Sequence, residues 1–412
     1  MARRVVVTGL GAITPLGQTA QKTWESAKNG VCGIDKITIF DTSGHKAKLA
    51  GEVKNFDPTM FLDKKQAMRM DRFTQFALIA AKEAMIDSKL QIDEQNAGKC
   101  GIIVSSGIGG LGTIEQEHTK GLEKGFDRVT PFFIPMVISN MAAGTIAIDL
   151  GLKGSCTCVV TACAGGSDAI GQGFRNIRDG YHDVMFCGGA EASITPLGIG
   201  AFTSMKALNE TDEITRASIP FDKERNGFVM GEGAGILVLE EYEHAKKRNA
   251  KIYGEVIGYG STCDAYHITA PDPDGLGAAG CMNQAIEDAG IDRKEIGYIN
   301  AHGTSTPIND RCETLAIKRV FKDAAKELVI SSTKSMTGHL LGASGAVEAL
   351  FCLMALEEQW IPPTINYQVP DEECDLDIVP NQGRSQKFTY AMSNSLGFGG
   401  HNASLIFKKG EV

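Results

Sequence analysis

The residue whose setting most favours covalent chemistry is Cys163, which lies among small side chains in Thr161-Ala162-Cys163-Ala164-Gly165. A short apolar run, Val159-Val160, precedes the cysteine, and an amphipathic pattern that ends at Gly180 follows it. We therefore predict that Cys163 lies at a strand-to-helix turn. Free N–H groups and the positive dipole end of a helix favour a thiolate over a thiol. The pattern thus predicts a cysteine nucleophile, at a place where a substrate carbonyl group can approach the backbone.

A second group of chemically capable residues lies in the second half of the chain. His302 follows a predicted strand, in a turn rich in glycine and threonine, and Lys334 and His339 share the turn after the next predicted strand. A third glycine-rich turn occupies residues 393–402. Each histidine taken singly is better explained by a structural role than by a catalytic one. Because ligands of open α/β sheets bind at the carboxyl ends of the strands, the two histidines and Cys163 together favour nucleophilic cysteine chemistry.

The elements that must position these residues alternate between strands and helices on both sides of residue 250, according to the apolar periodicity. In the first half we predict strands at 5–9, 184–187 and 236–240, a core helix at 71–87 and a charged helix at 242–249. In the second half we predict strands at 252–260, 296–299 and 328–331, and helices at 277–289, 310–321 and 344–358. This alternation predicts α/β layers in two similar halves, residues 1–250 and 251–412.

A glycine motif at residues 107–112 matches the G-x-G-x-x-G spacing of dinucleotide-binding turns. The segment that follows it lacks the apolar helix, the second strand and the ribose-binding acid of a nucleotide-binding unit. We therefore interpret these glycines as the wall of a pocket. Cys156 and Cys158 form a Cys-x-Cys pair, but no second pair of cysteines or histidines stands at metal-binding spacing, so no metal site is predicted there.

The composition narrows the class of protein. A net charge of −9 argues against nucleic acid as the main partner. No apolar run approaches the roughly 20 residues that a membrane-spanning helix requires, so we expect no membrane segment. The 11 cysteines are odd in number and scattered, which fits free thiols in a reducing compartment better than disulfides. We expect a cytoplasmic protein whose 412 residues form two fused halves.

Four motifs give the sequence a specific resemblance. They are, in chain order, Thr161-Ala162-Cys163, Asn300-Ala301-His302-Gly303-Thr304, Lys334-Ser335-Met336-Thr337-Gly338-His339 and Gly397-Phe398-Gly399-Gly400. Together they resemble the elongating β-ketoacyl-[acyl-carrier-protein] synthases, and more narrowly the KAS II type of bacterial fatty acid synthesis. The resemblance runs from Arg4 to Phe407. It implies a thiolase-like α/β fold, with two pseudo-symmetric βαβαβαββ halves in five layers (αβαβα), and a homodimer.

The resemblance also implies a function and a role for each residue of the motifs. The implied reaction is a decarboxylating condensation, in which an acyl thioester on Cys163 reacts with malonyl-acyl-carrier protein to give 3-oxoacyl-carrier protein, free carrier protein and carbon dioxide. His302 and His339 would donate hydrogen bonds to the malonyl thioester oxygen, where negative charge develops. Lys334 would organise the histidines. Phe398 would act as a gate, and its N–H group and that of Cys163 would form an oxyanion hole. This chemistry requires no metal ion and no organic cofactor.

Further residues are assigned to binding by the resemblance. Acyl-pocket positions match Ile108, Phe133, Ala162, Gly198, Phe202 and Phe398, and positions that bind the pantetheine arm match Thr269, Thr304 and Thr306. The landing patch for the acidic acyl carrier protein would be formed by Lys64, Lys65, Arg69, Lys124, Arg128 and Lys206. Without the resemblance, the pocket residues would be interpreted as core packing, the threonines as turn residues and the basic residues as a solvated surface.

Related functions remain as alternatives at this stage. A polyketide or aryl-polyene ketosynthase shares every catalytic residue, whereas a non-catalytic chain-length-factor subunit lacks the nucleophile that Cys163 supplies. Degradative thiolases use a second cysteine where this chain has His339, and KAS III-type enzymes use a Cys-His-Asn set. Leu396 and His401, on either side of the gate residue, differ from the residues found in some members of the family.

Overall fold

The computed structural model describes residues 3–410, in which strands and helices alternate along the chain. The strands of the first half are β1 (Val5–Ile13), β2 (Asp35–Lys36), β3 (Leu49–Ala50), β4 (Cys100–Ser105), β5 (Cys156–Thr157), β6 (Val184–Glu191) and β7 (Gly233–Glu241). Its helices are α1 (Ala20–Lys28), α2 (Lys64–Ala67), α3 (Arg72–Ser88), α4 (Leu111–Lys124), α5 (Phe133–Val137), α6 (Met141–Leu150), α7 (Gly165–Arg178), α8 (Pro196–Ser204) and α9 (Tyr242–Lys247).

The second half begins with β8 after residue 250. Its strands are β8 (Gly254–Cys263), β9 (Ile296–Asn300), β10 (Val329–Ser331), β11 (Trp360–Ile361), β12 (Arg384–Ser385), β13 (Tyr390–Gly397) and β14 (His401–Lys409). Its helices are α10 (Leu276–Ala289), α11 (Pro307–Phe321), α12 (Lys334–Thr337) and α13 (Ser344–Glu358). The predicted division at residue 250 falls between α9 and β8, and it stays a prediction about how the chain is divided.

The main sheet has ten strands, in the order β10-β9-β13-β14-β8-β1-β7-β6-β4-β5. Its two five-stranded halves have matching strand orders and meet where β1 pairs with β8 over three residues, Val5 to Val7. Helices α3 and α6 cover the outer face of the first half, and α10 and α11 pack on the outside of the second half. Helices α7 and α13 lie between the halves and contact strands of both. This arrangement confirms the predicted fold of two pseudo-symmetric halves in five layers.

Most elements lie where the apolar periodicity places them. Helix α3 begins after Asp71, whose side chain accepts a hydrogen bond from the Phe73 N–H group, as expected for an N-cap. Helix α13 is buried on every side from Ser344 to Leu356, which explains its apolar sequence without a membrane. Within residues 3–410, no helix combines the length and the hydropathy needed to cross a lipid bilayer.

Two predicted boundaries near the site are wrong, and one helix was not predicted. The strand expected to end at Cys163 is the two-residue β5, and residues 158–161 have no regular structure. Helix α11 begins three residues earlier than predicted, at Pro307, a residue favoured in the first turn of a helix. Helix α4 does follow the glycine motif. It has no apolar face because it is largely exposed, and its buried residues are Thr113 and Gly121.

The two halves share a Gly-x-Gly contact that the alternation of elements did not reveal. A Cβ atom on Gly11 of β1 would lie 1.9 Å from the carbonyl oxygen of Ala80 in α3. A Cβ atom on Gly260 of β8 would lie 2.0 Å from the carbonyl oxygen of Cys281 in α10. The glycine two positions earlier in each strand makes the same kind of contact one helical turn further along. The first strand of each half thus lets its outer helix approach to backbone contact.

We predict that these glycines set the stability of the two halves. Gly11→Ala and Gly260→Ala should each lower the free energy of unfolding by about 1–3 kcal/mol, because the added methyl group has no space and must displace the helix. Gly98→Ala is the matched control, since its Cβ would meet no atom within 4 Å. Urea unfolding measures the three variants, and equal stabilities for all three would contradict the proposed role of the close contact.

Candidate active site

Cys163 lies in a tight turn directly before α7. The residues Ala162–Ala164 form a 3-10 turn, and the cysteine side chain is buried, with 8% of the residue exposed. A Cβ atom on Gly165, the next helical residue, would lie 2.0 Å from Ser105 Oγ, so the turn has no space for a larger residue there. The backbone N–H group of Phe398 donates a hydrogen bond to the thiol. The predicted position of the cysteine at a helix N-terminus is therefore correct.

Burial raises the pKa of the Cys163 thiol to about 12. The positive charge of Lys334 and the hydrogen bond from the Phe398 N–H group oppose this rise in pKa, but they do not cancel it. The expected thiolate is thus not the resting form, because desolvation disfavours the charged sulfur more strongly than its helix-terminal position favours it. The thiol is neutral near pH 7, and it must lose its proton as the sulfur attacks.

His302 and His339 face each other inside the protein. Their ring centroids are 5.2 Å apart and the ring planes are nearly perpendicular, at 87°. Burial lowers the pKa of both imidazoles well below the usual value, and the positive charge of Lys334 lowers the pKa of each further. Both rings are therefore neutral near pH 7. Each neutral ring carries one N–H group, as a hydrogen-bond donor to a developing oxyanion requires.

Lys334 determines which nitrogen of His302 carries the proton. Its Nζ atom forms a buried ion pair with Glu348 and lies 3.4 Å from His302 Nδ1. An ammonium group can only donate, so His302 Nδ1 accepts and the ring proton is on Nε2. The Nδ1 atom of His339 lies 2.9 Å from Ser344 Oγ at the start of α13. When that hydroxyl donates, His339 also carries its proton on Nε2.

Two buried carboxylates hold the loops of the site, and the sequence analysis missed both. Glu313 of α11 accepts the N–H groups of His302 and Gly303, each at 2.8 Å, and burial raises the pKa of Glu313 to about 7. Glu191 of β6 accepts the N–H groups of Gly107 and Ile108, at 2.8 and 3.1 Å. The glycine motif at 107–112 therefore presents its amides to a protein carboxylate. In the sequence, the only sign of either carboxylate was an acidic residue on a face of a strand or helix that is otherwise buried.

One cavity of about 540 Å³ connects most of the predicted site residues. Those that line it are Ile108, Ala162, Cys163, Phe202, Lys206, Thr269, Thr304, Thr306, His302, His339 and Phe398. Residues that the sequence analysis did not assign also line it, among them Met205, Asn226, Phe228, Leu341 and Leu396. Lys334 lies behind His302, outside the lining. The structure thus brings the nucleophile, both histidines and the predicted gate residue into one space.

Two predicted acyl-pocket residues do not line this cavity. Phe133 is the first residue of α5 and is partly exposed outside the cavity. Gly198 is buried within α8, where its Cβ position would meet the carbonyl oxygen of Ser193 at 2.2 Å. A glycine is needed there for packing of the helix start, and it offers no side chain to a ligand. Neither residue lines the cavity of a single chain, so both assignments stay predictions.

Aromatic rings connect the gate to the histidines. The ring of Phe398 lies 6.3 Å from that of Phe202, which makes an edge contact with Phe228 at 5.5 Å. Phe228 in turn packs edge-on against His339 at 5.3 Å. Phe398 is followed by two glycines with positive φ, so the backbone after it bends in a way that other residues rarely adopt. The predicted gate residue therefore forms one end of an apolar wall that leads to the catalytic groups.

The predicted carrier-protein patch is exposed throughout. Its residues are Lys64, Lys65, Arg69, Lys124, Arg128 and Lys206. None of the six forms an ion pair with a carboxylate in the part of the chain that the structure describes. Lys206 lines the cavity, and Arg69 stacks over the Phe132 ring at 4.7 Å. Lys206 thus places one positive charge of the predicted patch at the cavity.

Two family models match the chain. The description "Beta-ketoacyl synthase, N-terminal domain" matches residues 2–245, and "Beta-ketoacyl synthase, C-terminal domain" matches residues 253–368. The chain belongs to the β-ketoacyl synthase family. Together the two models cover both halves of the fold, including the loops that carry Cys163, His302 and His339.

Full-length relatives of this β-ketoacyl synthase include two proteins named 3-oxoacyl-[acyl-carrier-protein] synthase 2. The one from Synechocystis sp. is 55% identical over 408 residues, which are 99% of this chain and 98% of the relative. The one from Staphylococcus aureus (strain COL) is 54% identical over 410 residues, which are 100% of this chain and 99% of the relative.

Solved ketosynthase structures match the same fold. A ketosynthase of a type II polyketide synthase, solved in complex with its acyl-carrier protein, is 37% identical with a TM-score of 0.92, and the match covers 100% of both chains. A β-ketoacyl synthase from Burkholderia phymatum is 33% identical with a TM-score of 0.91, over 99% of this chain and 100% of the other.

The depressed pKa of His339 predicts a pH-dependent stability. The unfolded β-ketoacyl synthase binds a proton on this residue near its ordinary pKa of 6.5, whereas the folded protein keeps the ring neutral. The unfolded state therefore binds more protons below about pH 6.5, and the free energy of unfolding falls as the pH is lowered. His339→Gln removes this contribution, so between about pH 7 and pH 5 the variant should lose about 1–2 kcal/mol less stability than the wild type.

Denaturant unfolding at several pH values measures this difference. His118→Gln is the control, because His118 is exposed and its replacement should leave the pH dependence of the wild type unchanged. Identical pH dependences for the wild type and His339→Gln would show that His339 is protonated in the folded protein.

Proposed function

We propose that this chain catalyses the carbon–carbon bond-forming step of fatty acid elongation, the decarboxylating condensation of an acyl thioester on Cys163 with malonyl-acyl-carrier protein. The observation that supports this proposal best is the single cavity shared by Cys163 and two neutral histidines. The relatives at 54–55% identity over their full length are 3-oxoacyl-[acyl-carrier-protein] synthases, whereas the type II polyketide ketosynthase is 37% identical. Fatty acid elongation is therefore favoured over polyketide synthesis, and the presence of Cys163 argues against a non-catalytic chain-length factor.

The first half-reaction transfers the acyl chain to Cys163. The sulfur attacks the carbonyl carbon of the acyl-carrier thioester, a new C–S bond forms, and the old C–S bond breaks to release the carrier thiol with the proton from Cys163. The tetrahedral intermediate carries its negative charge on oxygen. The N–H group of Phe398 already points at the sulfur, so it is placed with the N–H group of Cys163 to stabilise that oxygen.

The second half-reaction begins with loss of carbon dioxide from malonyl-carrier protein. The bond between the carboxylate carbon and the methylene carbon breaks, and its electrons form an enolate on the thioester oxygen. His302 and His339 donate hydrogen bonds to that oxygen as neutral imidazoles. Lys334 accounts for this donation at His302, because it occupies Nδ1 and directs the proton to Nε2. Lys334 is thus an organising residue and not a proton carrier.

The enolate then extends the acyl chain by two carbons. Its carbon attacks the Cys163 thioester, a C–C bond forms, and the C–S bond breaks to return the sulfur, which takes up a proton. The products are 3-oxoacyl-carrier protein, free carrier protein from the first half-reaction and carbon dioxide. The proton that the sulfur takes up comes from solvent, since the original thiol proton left with the carrier thiol in the first half-reaction.

The cavity provides separate places for the acyl chain and the pantetheine arm. Ile108 and Phe202 form apolar walls near Cys163, where an acyl chain would lie. Thr304 and Thr306 also line the cavity, with their hydroxyl oxygens 3.0 Å apart, and Thr269 is a partly exposed lining residue. Hydroxyl groups of this kind can bind the amides of a pantetheine arm.

We assign the exposed basic residues to docking of the acyl carrier protein. Lys206 connects the cavity with the surface, and within residues 3–410 none of the five other cations of the patch pairs with a carboxylate that would have to be displaced. Surface charges of this kind mainly speed the encounter of oppositely charged proteins. An acidic carrier protein would be attracted to this face and could insert its arm between Thr269 and Phe398.

The exposed edge of the sheet supports a homodimer. Strand β5 is the last strand of the sheet, and both of its residues are exposed. The surrounding segment exposes large apolar side chains, namely Phe126, Phe132, Ile134, Ile138, Ile148 and Val160. A second copy seated here would bury this surface and pair the free sheet edge. It would also bring α5, with Phe133, into the interface.

We place the reaction in the cytoplasm. All 11 cysteines of the chain are free, with Cys156 and Cys263 exposed to solvent. Exposed thiols persist in a reducing compartment.

Replacing the nucleophile should stop acyl transfer and condensation. Cys163→Ser should form no acyl-enzyme and no 3-oxoacyl product, because a serine hydroxyl is a far weaker nucleophile than sulfur at this site. Mass spectrometry of the intact protein, after incubation with acyl-carrier proteins of graded chain length, detects the added acyl mass and ranks the chain lengths. Cys156→Ser, which removes an exposed thiol, is the control and should acylate like the wild type. Condensation by Cys163→Ser near the wild-type rate would refute the nucleophile assignment.

A different substitution should separate decarboxylation from condensation. Cys163→Gln removes the sulfur but leaves His302, His339 and Lys334 in place, so the variant should still release carbon dioxide from malonyl-carrier protein while it loses elongation. Radiolabelled carbon dioxide measures decarboxylation independently of product formation. Loss of both activities in a folded Cys163→Gln protein would argue against a separate role for the histidines.

A further inference from the structure

A buried carboxylate outside the catalytic set lies five residues after the nucleophile. Asp168 is in the first turns of α7 and is 3% exposed. It accepts hydrogen bonds from two hydroxyl groups, Thr161 Oγ1 at 2.5 Å and Tyr259 Oη at 2.6 Å. Thr161 begins the turn that carries Cys163, and Tyr259 belongs to β8 in the other half of the fold. The carboxylate therefore connects the nucleophile turn with the opposite half.

The surface of α7 is shaped for the Tyr259 side chain. A Cβ atom on Gly171 would lie 2.3 Å from Tyr259 Cδ2, so this glycine is the space in which the ring lies. The guanidinium group of Arg175 covers the ring at 4.5 Å. Asp168, Gly171 and Arg175 stand three and four residues apart and share one face of the helix. Three residues of α7 thus surround the side chain of Tyr259, whose hydroxyl group donates a hydrogen bond to Asp168.

The turn that Asp168 holds is strained and closely packed. Ala162, between Thr161 and Cys163, has a φ of +49°, in the left-handed region that residues other than glycine rarely adopt. On the other side, a Cβ atom on Gly397 would lie 3.0 Å from the Thr161 carbonyl oxygen and 3.1 Å from the Cys163 nitrogen. A strained residue persists only where its surroundings fix it. The hydrogen bond from Thr161 to Asp168 fixes the residue just before the strained position.

We propose that Asp168 is a positioning residue for the acyl-transfer half-reaction: through Thr161 it holds the Cys163 turn in its strained form, and Tyr259 anchors it from the second half. This inference rests on the proposed function of Cys163. Asp168 does not touch the histidines, which belong to the loops after β9 and β10. Loss of the carboxylate should therefore impair attack by Cys163 and leave decarboxylation by the histidines intact.

The experiment removes the two hydrogen bonds with small changes. Thr161→Val and Tyr259→Phe each delete one hydroxyl group with little change in shape, and Asp168→Asn removes the charged acceptor. Thr161→Ser keeps the hydroxyl group and should rescue the activity. Asp179→Asn is the matched control, because it makes the same change at an exposed position at the end of the same helix. Intact-protein mass spectrometry follows the rate of acyl-enzyme formation, and thermal unfolding checks that each variant is folded.

We expect Asp168→Asn and Thr161→Val to slow acyl-enzyme formation by at least about tenfold, since small displacements of a reacting group have effects of this size. The double variant should be no slower than the slower of the two single variants, because both substitutions act on the contact between Thr161 and Asp168. In the Cys163→Gln background, Asp168→Asn should release carbon dioxide at the unchanged rate. Acylation of Asp168→Asn or Thr161→Val at the wild-type rate would overturn the proposal, as would an equal loss of acylation and decarboxylation. A wild-type protein that forms no acyl-enzyme would instead refute the proposed function.

Discussion

The buried ion pair between Lys334 and Glu348 is the interaction on which the chemistry of the site depends. A charge inside a protein is tolerated only when it is paired, and helix α13 supplies Glu348 from a segment with no exposed side chain. The cation lowers the pKa of three groups at once, those of Cys163, His302 and His339. The same charge thus eases loss of the thiol proton and keeps the imidazoles uncharged. One buried lysine therefore acts on the sulfur and on both imidazoles.

The internal repeat explains how the two sets of groups meet. In each half, loops after the second and third strands of the repeat face the interior of the molecule. In the first half these two loops carry Ile108, which lines the cavity, and Cys163. In the second half they carry His302 and the turn with Lys334 and His339. In both halves a buried carboxylate accepts the backbone N–H groups of the loop after the second strand. The two halves thus have similar scaffolds but carry different chemical groups, and the proposed reaction requires groups from both halves.

Much of this architecture follows from sequence patterns, because apolar periodicity and glycine positions report directly on which faces are buried. Helix α13 and the loops that carry the motif residues lie where those patterns place them. The pKa of Cys163 could not be predicted in this way, because desolvation depends on what packs around the sulfur, and distant segments supply that packing. Glu191 was missed for the same reason, since its backbone partners Gly107 and Ile108 are remote in sequence. Glu313 is close in sequence to its partners, but no pattern shows that its carboxylate turns back toward their N–H groups. Phe133 matches an acyl-pocket position by motif, yet the cavity of one chain does not reach it.

The burial of Cys163 also bears on how the enzyme can be inhibited. A small electrophile in water reacts fastest with an accessible sulfur, and here the exposed thiols are those of Cys156 and Cys263. The catalytic sulfur is neutral at rest and lies at the end of an apolar channel, so general reactivity gives a reagent no preference for it. A selective covalent inhibitor must first bind by its shape along Phe202 and Phe398, and only then present a weak electrophile to the sulfur.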